Sequence, residues 1–130
     1  MMNRRNRLRR AALLLALLVL VANVTGVAAS ATKTLVPKQL SGFWRRSGWQ
    51  MGVRSSGKVY IFRGMDGRTT RFSHVTAHRL TANAGGAPWS CSGTGTYRWK
   101  VANRKLTLTK IRDTCEPRVG LLAGTWRRTS

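Results

Sequence analysis

Tyr97-Arg98-Trp99-Lys100-Val101 alternates apolar and basic side chains, and Leu106-Thr107-Leu108-Thr109 alternates apolar and polar ones. A period of two sends successive side chains to opposite faces, so both stretches read as β-strands with one dry face. If Asn103-Arg104 is the loop between them, Val101 faces Leu106 and Trp99 faces Leu108 on one side. Arg98, Lys100, Thr107 and Thr109 then share the other. Arg104 suits so tight a turn badly, because both central residues need a positive φ, and a longer loop is the alternative. Upstream, Lys58-Val59-Tyr60-Ile61-Phe62 is β-branched and aromatic, Gly64-Met65-Asp66-Gly67 supplies turn chemistry, and Arg68 to Ser73 returns as a partner strand. Thr81 to Ser92, with Asn83, Gly85, Gly86 and Pro88, reads as a loop.

The patterned region opens and closes alike: Ser41-Gly42-Phe43-Trp44-Arg45-Arg46 and Ala123-Gly124-Thr125-Trp126-Arg127-Arg128 are nearly one motif written twice. Nothing else around the two stretches matches, which argues against duplicated halves, and chance likeness in an Arg- and Trp-rich chain is the competing account. An up-and-down barrel must pair its first and last strands, and both positions then want an inward aromatic and basic residues at the strand end. The pattern therefore predicts an all-β fold, a small antiparallel up-and-down barrel with Trp44, Trp99 and Trp126 in its core. Asp113-Thr114-Cys115-Glu116 has the form of a capping box, Pro117 is tolerable that early, and Gly124 is a stop, so a short helix is expected before the last strand. An irregular loop is its alternative.

The first 31 residues stand apart. Arg4, Arg5, Arg7, Arg9 and Arg10 form a positive head, Ala11 to Ala22 is unbroken apolar, and Val27-Ala28-Ala29 and Ala29-Ser30-Ala31 offer small-residue cleavage sites. This is the build of a secretory signal peptide, with an uncleaved anchor as the weaker reading. Arg4-Arg5-Asn6-Arg7-Leu8 approaches a twin-arginine signal but has Arg7 where an apolar residue is usual, so the export route stays open. Cleavage after Ala31 leaves 99 of the 130 residues, a single small domain covering 32–130. Cys91 and Cys115 are the two cysteines, and an oxidising compartment predicts one bridge between them, a loop closure that stabilises by about 3 kcal/mol.

Charge then changes the picture. Five of the 24 Lys and Arg leave with the head, and the remaining 19 face only Asp66, Asp113 and Glu116, a net charge of +16. The cations are spread over strands rather than gathered in a tract, and five tryptophans imply a packed body beneath them.

Gly95-Thr96-Tyr97-Arg98-Trp99, Leu106-Thr107-Leu108-Thr109, Asp113-x-Cys115-x-x-Arg118 and Leu122-x-Gly124-x-Trp126-x-Arg128 together resemble the C-terminal half of small exported actinobacterial proteins that carry no assigned activity. Those have a Gly in the hairpin turn where this chain has Ala102-Asn103-Arg104. The resemblance spans about a third of the chain and implies kinship of fold. Gly42-Phe43-Trp44 is also similar to the Gly-x-Trp of lipocalins, in which a late-strand Arg covers the Trp at the closed end. By that resemblance Arg127 or Arg128 is the cover for Trp44.

Catalytic patterns are missing from the sequence. Three acids leave little for paired-carboxylate chemistry, and Asp113 and Glu116 are expected as a helix cap. His74 and His78 have zinc-helix spacing, but Val75 stands where a metalloprotease needs Glu, and in a strand through Thr76 the two lie about 13 Å apart. The expectation is a protein that is not an enzyme and holds no cofactor or metal. Two binding readings follow. In one, a barrel mouth lined by Trp49, Tyr60 and Phe62 takes a small apolar molecule, although those aromatics would equally fill the barrel. In the other, Arg98, Lys100, Arg127 and Arg128 hold anionic envelope polymers or lipid headgroups, while intracellular nucleic acid is disfavoured by the export signal. A packed scaffold without a ligand is the third.

Overall fold

In a computed structural model of the protein, the described residues are 36–85 and 91–129. The expected leader at 1–31, its cleavage site and Trp89 lie outside them. Eight strands run β1 (Gly42–Arg46), β2 (Trp49–Val53), β3 (Lys58–Arg63), β4 (Asp66–Ser73), β5 (Arg79–Ala82), β6 (Gly95–Ala102), β7 (Lys105–Arg112) and β8 (Gly124–Arg128). Helix α1 (Glu116–Leu122) precedes the last strand. Every strand pairs antiparallel with its chain neighbour and β8 returns to β1, so the sheet closes as an up-and-down barrel.

The β6–β7 hairpin has the register its alternation predicts, Val101 opposite Leu106 and Trp99 opposite Leu108. Its loop is the two-residue one, with Asn103 at φ 49° and Arg104 at φ 59°. The β3–β4 turn is shorter than expected: Arg63 already pairs with Asp66, leaving Gly64 and Met65 to turn the chain. Part of the expected loop after Thr81 is strand, because β5 runs to Ala82 and pairs with both Phe72 and Gly95. Strand β4 ends at Ser73, and His74, at φ 47°, leads out of it.

Eight strands enclose a space that side chains can fill, and here they fill it. Trp44, Met51, Ile61, Tyr97, Leu106 and Trp126 are each 0 % exposed, so they border no space that a water could enter. Trp99 is also buried. The barrel is a packed core rather than a container.

The repeated motif forms the seam. Trp44 opposes Arg128, and Arg45 opposes Arg127. The two indoles are held in the same way: Trp44 Nε1 donates to the Leu40 carbonyl and Trp126 Nε1 to that of Leu122, each at 3.1 Å. The covers are exchanged. Arg128 lies 4.2 Å over the Trp44 ring, and Arg46 lies 5.0 Å over the Trp126 ring. Arg128 also donates to the carbonyl of Ser41 at 3.0 Å. Arg46 caps the C-terminal end of α1, donating to the carbonyls of Gly120, Leu121 and Ala123. Gly42 and Gly124 make room for this: both sit at positive φ, 126° and 132°, where a Cβ would also run into the arginine arriving from the other strand.

Candidate anion-binding face

The cluster that most looks like chemistry is sealed. Asp113 accepts two bonds of 2.7 Å from the Arg118 guanidinium, one of 2.9 Å from the Cys115 amide, and one from the Tyr97 hydroxyl. Arg118, 1 % exposed, reaches on to the Gly93 carbonyl at 2.8 Å. Gly95 leaves the space that the carboxylate occupies. Burial alone would raise the Asp113 carboxyl, but the Arg118, Tyr97 and Cys115 bonds outweigh it and hold the carboxyl below its ordinary range. Burial, followed by the Asp113 bond and charge, pushes the Tyr97 hydroxyl up. The arrangement pins the start of α1 to β6 and leaves no reacting atom open to solvent.

It also corrects the expected capping box. The residue at the helix N-cap is Cys115, no side chain caps the helix, and Glu116 is exposed. Asp113 is instead an ion-pair partner that fixes the approach to the helix. Beside it the expected Cys91–Cys115 bridge is formed, with Cα atoms 5.8 Å apart.

Tyr60 and Phe62 do not line a barrel mouth, and Trp49 stands at the start of β2 on the same inward face as Met51, opposite Arg46. In β3 the inward positions belong to Val59 and Ile61, which pair with Val53 and Met51, and the alternation turns Tyr60 and Phe62 outward. Trp49 is half-buried against the edge of the core, with Arg63 4.7 Å over its ring. Two of the three aromatics expected to line an enclosed apolar site, Tyr60 and Phe62, are therefore on the outside of the barrel.

The cations divide by the same alternation. Of each Arg-Arg pair at the seam, Arg46 and Arg128 turn inward over the tryptophans, and Arg45 and Arg127 turn out. Arg128 is thus a structural cover, which corrects its expected place on the polyanion surface. Arg127 is exposed opposite Arg45 on one side and Lys105 on the other, so a row Lys105–Arg127–Arg45 crosses three neighbouring strands. Arg45, Arg127, Trp49, Gln50 and Thr125 line an open groove of about 580 Å³ beside the Ser47-Gly48 turn. Arg98 and Lys100 are exposed on β6, and with His78 and Trp99 they line a second open groove of about 460 Å³. Arg98 is directly opposite Arg79, as Lys58 is opposite Arg71.

Like charges directly opposite on a sheet repel, and acids would ordinarily be interleaved with them. Among the described residues the ion pairs are Arg68–Asp66 and Arg118–Asp113, neither of which involves these rows. Arg45, Arg79 and Lys105 were not singled out from sequence, although the period of two in Trp44-Arg45-Arg46 would have separated Arg45 from Arg46. Among the described residues no group of three or more metal-ligating side chains occurs, and His74 and His78 are both exposed. The chain matches no protein family, no curated protein and no solved structure.

Proposed function

We propose that the protein is an exported, non-catalytic barrel that works at the cell envelope by holding anionic polymers or anionic lipid headgroups on its outer surface. The observation that carries this reading is the Lys105–Arg127–Arg45 row: three cations on adjacent strands without an interleaved acid, two of which, Arg45 and Arg127, line an open groove. Such a row repels itself in the free protein and is relieved by a multivalent anion, whose binding releases counterions and is therefore steeply salt-dependent. The filled interior removes the space that an enclosed apolar ligand would need.

The test is titration with polyphosphate at several salt concentrations, using the wild type, Arg45→Gln/Arg127→Gln and a control of equal charge, Lys110→Gln/Arg112→Gln, both exposed on β7 away from the row. The row variant should lose at least five times more affinity than the control. Equal losses would reduce the row to general net charge, and binding unchanged in molar salt would place the interface elsewhere.

A further inference from the structure

We infer that the outer face of β1–β3 is a docking surface for an anionic lipid bilayer, which makes lipid headgroups the source of the anions in the proposed function, on which this inference rests. Three large apolar side chains stand out from this face, one on β1 and two on β3 with β2 between them: Phe43 at 61 % exposure, Tyr60 at 39 % and Phe62 at 37 %. Met65, fully exposed, caps the β3–β4 turn beyond them. Phe43 opposes Gly52, which in turn opposes Tyr60. Having no side chain, Gly52 lets the Phe43 ring lie across it, 3.2 Å from where a Cβ would stand. Phe43 and Tyr60 then wall an open hollow of about 320 Å³ with Val53 and Arg54. Neighbouring strands are about 4.8 Å apart and alternate residues about 6.8 Å, so the three rings share one patch.

Cations frame the patch. Arg45 is two residues from Phe43, Lys58 is two residues from Tyr60, and Arg54 lies 5.8 Å over the Tyr60 ring. The nearest carboxylate, Asp66 at the turn, is taken by Arg68. An apolar centre with a basic rim is complementary to the boundary of a bilayer, where rings and thioethers enter the headgroup layer while arginines meet phosphates. A soluble polyanion would use the rim and leave the rings wet. A second copy would set Arg45, Arg54 and Lys58 against the same cations, so the charge does not fit self-association.

The experiment is co-sedimentation with vesicles of phosphatidylglycerol and phosphatidylcholine, run beside the polyphosphate titration, on the wild type and Phe43→Ser/Tyr60→Ser/Phe62→Ser. The triple variant should bind vesicles at least tenfold more weakly and polyphosphate within twofold of wild type, while Arg45→Gln/Arg127→Gln weakens both. Should the triple variant fold poorly, Phe43→Tyr/Phe62→Tyr, which keeps the rings, should retain vesicle binding and Phe62→Glu alone should lose it. Undiminished vesicle binding by both the triple variant and Phe62→Glu overturns the docking face and leaves the polyanion reading standing. So does a wild type that binds polyphosphate but no vesicles. A wild type that binds neither overturns both. Dimers in sedimentation that vanish in the triple variant would assign the patch to a second copy and overturn the bilayer.

Discussion

Replacing Arg118 by Met should do more than weaken the protein: it should reverse the way that stability depends on acid. The Arg118 guanidinium supplies two of the four bonds that Asp113 accepts, and both groups are shut away from water. Removing one partner of a buried pair leaves an uncompensated charge and costs about 3 to 5 kcal/mol. A domain of this size holds about 5 to 15 kcal/mol in all, so the loss is about a fifth or more and lowers the melting midpoint by over about 10 °C. The sign follows from the carboxyl. In the wild type it is held low, so its contribution is present above the unfolded value near pH 4 and is lost as the pH falls through the folded value. Without Arg118 burial dominates and the carboxyl rises, so the variant is best off below about pH 4 and loses ground as the pH climbs through the new folded value. Urea unfolding followed by tryptophan fluorescence between pH 3.5 and 8 reads both effects. Asp113→Asn/Arg118→Met, which carries no buried charge, should recover part of the loss near neutrality. A cost below about 1 kcal/mol for Arg118→Met, or a variant that weakens toward acid as the wild type does, would refute the reasoning.

Other outcomes follow from the same structure. Trp44→Ala and Trp126→Ala should each cost about 3 to 5 kcal/mol in thermal or urea unfolding, since both indoles are fully buried and hydrogen-bonded. Cys115→Ser should cost about 2 to 5 kcal/mol, and peptide mapping without reductant should recover Cys91 and Cys115 linked. At the alkaline end, stability should hold up to the unfolded tyrosine value near pH 10 and fall as the pH rises beyond it, because Tyr97 keeps its proton in the fold; Tyr97→Phe should flatten that limb. Arg45→Gln/Arg127→Gln should raise the melting midpoint at low salt and much less at high salt, since it removes a like-charge pair.

The barrel was legible where alternation was strict and one-sided. Tyr97 to Val101 and Leu106 to Thr109 each have one apolar face, which leaves a single sensible register, and the cross-strand pairing then holds Arg104 in the positive φ that the turn requires. Lys58 to Phe62 was legible as a strand, but its inward face was not, for the opposite reason. Val59 and Ile61 alternate with Tyr60 and Phe62, so both faces are apolar and the period cannot say which is inside; only pairing with Met51 and Val53 decides it. Strand β2 was hard to see because Met51, Gly52 and Val53 are buried in succession, which erases the period, and its glycine reads as turn material. The Asp113–Arg118 pair, five residues apart with a helix start between, has no local signature. The cationic row is a property of the closed sheet, since Lys105, Arg127 and Arg45 become neighbours only when β8 returns to β1.

The exchanged arginines bear on how long the barrel lasts once formed. Arg46 reaches partners 74 to 77 residues ahead of it, and Arg128 reaches the Ser41 carbonyl 87 residues behind. The chain must forgo the entropy of closing nearly its whole patterned length before any of these bonds is made, whereas the β3–β4 and β6–β7 hairpins close over a few residues. Formation order therefore runs from the hairpins to the seam, and contacts made after the rate-limiting step govern escape from the native state rather than arrival at it. In stopped-flow chevrons, an Arg128→Met barrel would assemble at close to the normal rate and open sooner: the two arginines are the latch on the barrel's lifetime.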